Sequence, residues 1–202
     1  MIGAVILAAG ASERMGRPKA LLPFGADTAL SMAVDACRYG GIDRIALVLG
    51  AAAREILPVA EEIIEGNLEV VLHHKYMDGR TSSIQAGWAR LGDAFEALLV
   101  YPVDHALVTR HEVTALLDTY LQADDPAVLV PVCEGRRGHP VLLAGPALLD
   151  LPRLGPDAPL RDLIHAHPIL EVPTDNPWIS QDLNTPESYQ TALAAWREQS
   201  TP

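Results

Sequence analysis

The sequence predicts an α/β protein with a single doubly wound, Rossmann-like sheet that is mostly parallel and carries helices on both faces. Short apolar runs recur along the chain and are typical of strands that are buried on both sides. Segments with apolar residues at helical spacing lie between most of these runs, and this alternation implies parallel pairing. At 202 residues, of which 49% are hydrophobic, the chain can bury a substantial core. We therefore expect one domain over residues 1–202.

The first strand and helix have the clearest pattern. Residues 2–8 form a near-continuous apolar run that ends before Gly10, which predicts a buried strand. Residues 28–39 have apolar side chains at helical spacing and stop at the pair Gly40-Gly41, which predicts a helix. A strand followed by a turn and a helix is the basic unit of the predicted fold.

The alternation continues along the chain. Thr109 and Glu112 have the spacing of a capping box, and Pro186 suits the first position of a last helix. The Pro-rich segment 152–159 is interpreted as a surface loop. Further strands are expected at 43–50, 68–74, 95–103, 126–133 and 139–145, and further helices at 51–64, 81–92, 109–122 and from 185 onward.

Composition excludes several classes of protein. A formal net charge of -11 argues against a nucleic-acid partner, because a phosphate backbone requires a basic face. No apolar run approaches the ~18 residues of a membrane span, and the N-terminus has no basic region typical of a secretory signal. Cys37 and Cys133 have no metal-site spacing and are interpreted as core residues. We expect a cytoplasmic protein that does not bind membranes.

The segment 9–20 gathers cations in an otherwise acidic chain. It follows the first strand, and ligands of doubly wound sheets bind beyond the carboxyl ends of the strands. Gly10 and Gly16 allow the backbone to approach an anion closely, while Arg14 and Lys19 can bind its phosphate oxygens. The segment lacks both the dinucleotide fingerprint and the Walker pattern. It is either a phosphate-binding loop of another kind or an exposed turn whose cations face water.

Two carboxylates and a group of hydroxyls are further candidates. Asp104 ends an apolar strand, and Asp182 precedes a helix, so each can bind a metal ion or simply cap a helix. Thr81, Ser82 and Ser83 begin a predicted helix, where at least one should act as a cap and where hydroxyls can also contact a nucleotide.

Several segments together resemble a known family. LAAGASERMGRPKALLPFG (7–25) resembles the signature L-A-[AG]-G-x-[SG]-x-R-[ML]-G-x-x-K of nucleotidyltransferases that include the molybdenum-cofactor guanylyl- and cytidylyltransferases. The sequence LAAG followed by a serine pair is similar to the cytidylyltransferase branch. Other segments that match in order are GRTSSIQAG (79–87), YPVDHALVT (101–109), RRGHPVLL (136–143) and DLNTPESY (182–189).

The resemblance implies a fold of the nucleotide-diphospho-sugar transferase type and transfer of CMP from CTP to the terminal phosphate of molybdopterin cofactor, with release of pyrophosphate. It implies Mg²⁺ bound by Asp104 and Asp182, and contact with a molybdoenzyme or its chaperone. Arg14 and Lys19 would be catalytic, and Gly138 and His139 would bind the phosphorylated acceptor. The nucleotide would be bound by Leu7, Ala8, Ala9, Gly10, Arg14, Lys19, Ser82, Ser83 and Asp104.

The chain departs from the family pattern at two places. His105-Ala106 stands where Gln-Pro is common, and Gly79-Arg80 stands where Gly-Met is usual. Guanylyl or other nucleotidyl transfer to a different phosphorylated acceptor would preserve the same phosphate chemistry. The remaining alternatives are a nucleotide- or cofactor-binding protein without turnover, and an oxidoreductase.

Overall fold

The structure, a computed structural model, describes residues 1–200. The last two residues of the domain predicted over 1–202 lie outside the described residues. The strands are β1 (Ile2–Ala8), β2 (Pro23–Phe24), β3 (Asp27–Thr28), β4 (Arg44–Leu49), β5 (Leu68–Leu72), β6 (Ala97–Pro102), β7 (Val128–Cys133), β8 (Arg136–Arg137), β9 (Val141–Ala144) and β10 (Ile169–Pro173). The helices are α1 (Ala29–Tyr39), α2 (Ala53–Ile63), α3 (Arg80–Leu91), α4 (Arg110–Gln122), α5 (Gly145–Asp150), α6 (Leu160–His165) and α7 (Pro186–Ser200).

The main sheet confirms the predicted α/β class. Its strand order is β10-β7-β9-β6-β1-β4-β5, with β8 paired to β7. The strands β6, β1, β4 and β5 are mutually parallel, and β10 is parallel to β7. The strand β9 runs antiparallel to both β6 and β7, because only a short hairpin through β8 separates it from β7.

Helices cover both faces of this sheet. Ala4 and Ile6 of β1 belong to one apolar cluster, and Val5 and Leu7 belong to another, as the two-residue period of a strand requires. The first cluster includes Leu30 of α1, Ile56 of α2 and Val113 of α4, and the second includes Ile84 of α3, Ala147 of α5 and Leu163 of α6.

A third cluster holds the last helix against the chain that follows the first strand. The ring of Phe24 meets that of Tyr189 edge-on at 5.6 Å between centroids and also contacts the ring of Trp196 at 6.1 Å. The Tyr189 hydroxyl donates a hydrogen bond of 2.6 Å to the carbonyl oxygen of Pro23. As a result, α7 fixes the small β2–β3 hairpin beside the carboxyl ends of the central strands.

Most of the local features predicted from the sequence are present in the structure. Thr109 and Glu112 form the predicted capping box of α4, α7 begins at Pro186, and Cys37 and Cys133 are buried, unpaired thiols. The strands β2, β3, β8 and β10 and the short helices α5 and α6 were not predicted. No helix within residues 1–200 is long and apolar enough to span a lipid bilayer.

Candidate active site

A cavity of about 760 Å³ opens where β1 and β6 end, at the carboxyl edge of the sheet. This is the edge at which ligands of doubly wound sheets bind. The loop after β1 forms one wall, and the first turn of α3 forms another. Residues predicted to belong to the site that line this cavity are Leu7, Ala8, Ala9, Gly10, Arg14, Lys19, Ser83 and Asp104.

The loop after β1 has a defined conformation. Ser12 and Gly16 are both left-handed, with φ of 53° and 72°, and Gly16 adopts this conformation without a side-chain penalty. The backbone N–H of Lys19 donates to Ser12 Oγ at 3.2 Å, which ties the end of the loop to its middle. Met15 is buried in the third apolar cluster. The cations of this loop are therefore carried on a segment that is anchored at several points.

Lys19 connects the loop to two carboxylates on other elements. Its ammonium donates to Asp104 Oδ2 at 2.8 Å and also to Asn184 Oδ1. The side-chain amide of Asn184 in turn donates to Asp182 Oδ2. The backbone N–H of Leu183 donates to the carbonyl oxygen of Asp104 at 2.9 Å, so the segment that carries Asp182 is bound directly to the end of β6.

Asp104 is a buried anion at this junction. Burial alone would raise the pKa of its carboxyl group, but the charge of Lys19 and its hydrogen bond outweigh that effect. His105 and Arg80 add smaller contributions in the same direction, and the pKa of Asp104 is lowered from its ordinary value. Asp104 is therefore a carboxylate at neutral pH and a strong partner for a cation.

The three cations of the loop do not share one role. Arg14 lines the cavity and has no hydrogen-bond or ion-pair partner within residues 1–200. Arg17 instead lies over the ring of Tyr189, 5.4 Å from its centroid, and does not line the cavity. Of these three loop cations, Arg14 and Lys19 are therefore the ones available to a ligand in the cavity.

The hydroxyl residues in the first turn of α3 also differ in their contacts. The helix begins at Arg80 with Gly79 as its N-cap, and no side chain caps it, so the prediction that a hydroxyl would do so is wrong. Ser82 Oγ is 2.9 Å from His73 Nε2 and donates to the carbonyl oxygen of Gly79 at 2.7 Å, and it lies outside the cavity lining. Ser83 lines the cavity and has no hydrogen-bond partner among the described residues. Thr81 donates to the carbonyl oxygen of Ala158 at 2.6 Å, so the segment 152–159 also supports this helix.

Gly138 and His139, predicted to bind the acceptor, are not in the lining of the cavity. A Cβ atom on Gly138 would be 2.2 Å from the carbonyl oxygen of Ile179, so only glycine permits this approach. The backbone N–H of His139 donates to the same oxygen at 2.8 Å. The ring of His139 lies against that of His105, with 4.7 Å between centroids, and the Nδ1 atom of each is buried without a partner in the described chain.

Both imidazoles are neutral at physiological pH. Burial lowers the pKa of His139 to about 3, and the neighbouring charges of His105 and Arg80 contribute to this shift. Burial also lowers the pKa of His105, against the opposing effects of Asp104, a hydrogen bond to the Trp178 backbone and Asp182. This neutral pair can offer a ligand hydrogen bonds but not a positive charge.

Some residues of the cavity were not identified from the sequence. Asn184 lies two residues after a candidate metal carboxylate, and this spacing could have indicated it. Tyr76 and Met77 line the cavity from the segment after β5, where no motif marked them. Glu13 also lines the cavity, whereas Asp78, the nearest acidic residue to the serines in sequence, does not.

The oxygen ligands suit a hard divalent cation. Asp104 and Asp182 are brought to the same edge through Lys19 and Asn184. Residues 1–200 contain no cluster of three or more His, Cys, Asp or Glu side chains that would form a complete protein cage. Mg²⁺ is commonly bound by one or two carboxylates together with water and substrate phosphates. The donor set therefore fits such an ion.

The fold is of the nucleotide-diphospho-sugar transferase type, and solved structures with this fold include a nucleotidyl transferase from Methanothermobacter thermautotroptrophicus. The model of the MobA-like NTP transferase domain matches residues 4–183, and the chain belongs to that family. Both results confirm the resemblance found in the sequence.

The individual proteins that this chain resembles have different names. The nicotine blue oxidoreductase of Paenarthrobacter nicotinovorans is 34% identical over 152 residues, which is 69% of each chain. The molybdenum cofactor cytidylyltransferase of Escherichia coli strain K12 is 26% identical over 206 residues, 98% of each chain. The structure of Rv0371c from Mycobacterium tuberculosis H37Rv has a TM-score of 0.82 at 27% identity, covering 96% of this chain and 97% of that one. Rv0371c was also solved in complex with manganese, and that structure matches with a TM-score of 0.78 at 25% identity, covering 96% of this chain and 98% of the other.

Proposed function

We propose that this protein is a nucleotidyltransferase that moves CMP from CTP onto the terminal phosphate of the molybdenum cofactor and releases pyrophosphate. The observation that carries the proposal is the connection of Lys19, in the cavity lining, to Asp104 and, through Asn184, to Asp182, which lies outside the lining. The full-length match to a molybdenum cofactor cytidylyltransferase supports the choice of acceptor. Contact with a molybdoenzyme or its chaperone would follow from the same role.

The loop after β1 would bind the triphosphate. Arg14 has five donors in a planar fork and no partner among the described residues, so it can bind phosphate oxygens in two contacts. Lys19 is held in the lining of the cavity by Asp104 and would offset charge on the α-phosphoryl group. Preorganised positive charge at that position lowers the barrier, since no reorganisation is needed when the charge develops.

The attacking group needs no strong base. A phosphate monoester has a second pKa of about 6 and is already largely dianionic near neutral pH. One of its oxygens would form a bond to the α-phosphorus while the bond from that phosphorus to the bridging oxygen of pyrophosphate breaks. Alignment and charge stabilisation therefore carry the reaction.

Asp104 and Asp182 would hold the divalent ion. When bound, Mg²⁺ or Mn²⁺ would neutralise charge on the triphosphate and on the departing pyrophosphate. Lys19 already places a positive charge on Asp104 Oδ2, so this oxygen is arranged for a cation. Asn184 would keep the exposed carboxylate of Asp182 directed toward the same edge.

The base would lie between the end of β1 and the start of α3. Ala8 and Ala9 bring backbone groups to the cavity, and Ser83 adds a hydroxyl that no described residue uses. Cytosine has one amine donor and two acceptors on its pairing edge, which suits such partners. Guanine would require an acceptor for its two donors, and Glu13 is the acidic side chain in the lining besides Asp104. Ser82 would act indirectly, by fixing the start of α3 through its bonds to His73 and Gly79.

The test is pyrophosphate release with purified protein, molybdenum cofactor released from a molybdoenzyme, and each of CTP, GTP, ATP and UTP with Mg²⁺ or Mn²⁺. We expect release with CTP, and calorimetry should give CTP an affinity roughly ten- to hundred-fold higher than that of GTP. Tighter binding of GTP would place the protein outside the cytidylyl branch but preserve nucleotidyl transfer. Tight nucleotide binding without release would support a binding protein without turnover.

Because the 34% identical relative is named as an oxidoreductase, redox activity should also be measured in the same preparation. Absorbance of NADH and NADPH should remain constant on addition of protein and a quinonoid dye as acceptor. Oxidation of either dinucleotide, together with absence of pyrophosphate release from every triphosphate, would replace the transferase proposal with a redox function.

A further inference from the structure

Arg80 is a cation of the cavity that the proposed triphosphate site does not use. It is the first residue of α3, it is exposed, and it lines the same cavity as Arg14 and Lys19. Among residues 1–200 its guanidinium has no hydrogen-bond or ion-pair partner. An unpaired guanidinium in a ligand cavity retains all its donors for a bound molecule.

Arg80 belongs to a different element from the other cations of the cavity. It begins α3, and it shares the lining with Asp104, which follows β6. Arg14, by contrast, belongs to the loop after β1 on the other wall. The two free guanidiniums thus extend from separate structural elements.

We propose that Arg80 determines specificity for an acceptor that bears a phosphate monoester, by binding that phosphate at the start of α3. The assignment rests on the proposed nucleotidyl transfer, in which two phosphorylated substrates must share one cavity. Arg80 would be a positioning and specificity residue for the second substrate.

Charge balance supports this assignment over a general electrostatic role. The cations in the lining are Arg14, Lys19 and Arg80, and the ammonium of Lys19 is paired with Asp104. With Arg14 and Lys19 on the triphosphate, the unpaired cation of the described cavity that remains for a second phosphate is Arg80. A guanidinium can bind two oxygens of a phosphate at once and leave a third free to attack.

The alternative is an exposed arginine that only faces water. It predicts no difference between ligands with and without phosphate, so a matched pair of ligands separates the two interpretations. The probes are 6-hydroxymethylpterin phosphate and the unphosphorylated 6-hydroxymethylpterin, which are fluorescent and can be titrated without turnover. The variants are Arg80→Met, which preserves an unbranched chain but removes the charge, and Arg80→Lys, which retains a point charge.

The control variant is Arg90→Met. Arg90 lies in the last turn of the same helix and pairs with Glu69 at 2.7 Å, away from the cavity. We expect Arg80→Met to weaken binding of the phosphorylated pterin about ten- to hundred-fold, with the unphosphorylated pterin and CTP unchanged within about twofold. Arg80→Lys should recover part of the loss, and Arg90→Met should behave as the wild type.

Equal loss for both pterins, a loss for CTP instead, no change for the phosphorylated pterin, or absence of binding of the phosphorylated pterin to the wild type would each overturn the proposal. Failure of pyrophosphate release by the wild type would overturn the proposed function but not the binding result. The two proposals are therefore tested separately.

Discussion

The ammonium group of Lys19 has a structural role, and the proposed function gives the same group a chemical role. It neutralises the buried carboxylate of Asp104 and holds Asn184, and its side chain is only 16% exposed. Arg17 lies two residues earlier in the same loop but contacts the ring of Tyr189 outside the cavity. The two cations therefore provide a matched test of position within one loop.

Replacing Lys19 with Ala should lower the rate of transfer by at least about 100-fold, because the proposed function assigns this ammonium to the charge on the α-phosphoryl group. Stability should fall by about 1–3 kcal/mol, since a mostly buried carboxylate is left without its partner. Arg17→Ala should retain the rate and lose only about 0.5–1 kcal/mol. Pyrophosphate release, circular dichroism and urea unfolding would measure these effects. A Lys19→Ala protein with normal turnover would contradict the assigned role.

His139 should make stability depend on pH in a specific window. Its pKa is lowered from 6.5 to about 3 by folding, so between these values the unfolded chain binds a proton that the folded protein does not. Stability is therefore lost as the pH falls below about 6.5, by up to about 1.4 kcal/mol per pH unit for one proton. His105, whose pKa is also lowered, acts in the same direction. His139→Gln should flatten the slope of unfolding free energy between pH 6.5 and 4, and an unchanged slope would show that His139 is not the group responsible.

At the scale of elements, α3 depends on a glycine at each end. Gly79 has φ 126° and ψ 167°, and Gly92 has φ 85° and ψ 177°, a region open essentially to glycine alone. They differ in their surroundings. A Cβ atom on Gly79 would lie 2.5 Å from the carbonyl oxygen of Pro156, whereas one on Gly92 would meet nothing within 4 Å. The start of the helix is therefore constrained by packing as well as by backbone conformation.

Gly92→Ala should cost about 1–3 kcal/mol from backbone strain but leave nucleotide binding intact, because the cavity is at the other end of the helix. Gly79→Ala should cost more and also weaken nucleotide binding, since the first turn of α3 must move away from the segment 152–159. Chemical denaturation and calorimetry with CTP would compare the two variants. Equal losses of both stability and affinity would exclude a specific role for the contact with Pro156.

Local patterns in the sequence predicted the positions of strands and helices well, but they did not predict which strands pair or in which direction. The strand predicted over 2–8 has these bounds in the structure, and the capping box at Thr109 was correct, because periodicity and capping depend on nearby residues. The antiparallel direction of β9 depends on which strands it joins, which no local pattern states. The edge strand β10 has an exposed, mixed sequence, and its pairing with β7 comes from tertiary contact.

The residues of the cavity could be predicted from the sequence to about the same extent as the fold. Gly10, Arg14, Lys19 and Asp104 belong to the lining because chemistry and position agree in the sequence. Ser83 lines the cavity whereas Ser82 contacts His73. This difference depends on how α3 is rotated against its neighbours, so it could not be predicted from the sequence.

The whole molecule should respond to ligand as one unit, because the site joins the loop after β1, the end of β6 and the segment before α7. A nucleotide with Mg²⁺ at 100 times its dissociation constant should add about 2.7 kcal/mol to stability. Asp104→Asn and Asp182→Asn should each lose most of the metal-dependent part of this increase. The shift is compared with and without metal within each variant, so that the loss of the Lys19 ion pair is not counted.

Glu171→Gln is the matched control, because Glu171 pairs with Arg137 at the edge of the sheet. It should retain the full metal-dependent shift in a thermal unfolding assay. A full shift in either aspartate variant would remove that residue from the proposed metal site.

The contact between Lys19 and Asn184 joins residues that are 165 positions apart. During synthesis, the ribosome has completed every strand of the main sheet at Pro173, before Asn184 and the helix that holds the β2–β3 hairpin exist. A nascent chain released at that point could pair all its strands and still have a loop whose lysine lacks one of its two partners. If the proposed transfer depends on this contact, competence for transfer is acquired only once Asn184 has been synthesised, later than the sheet that supports it, and chains that stop at Pro173 should be inactive.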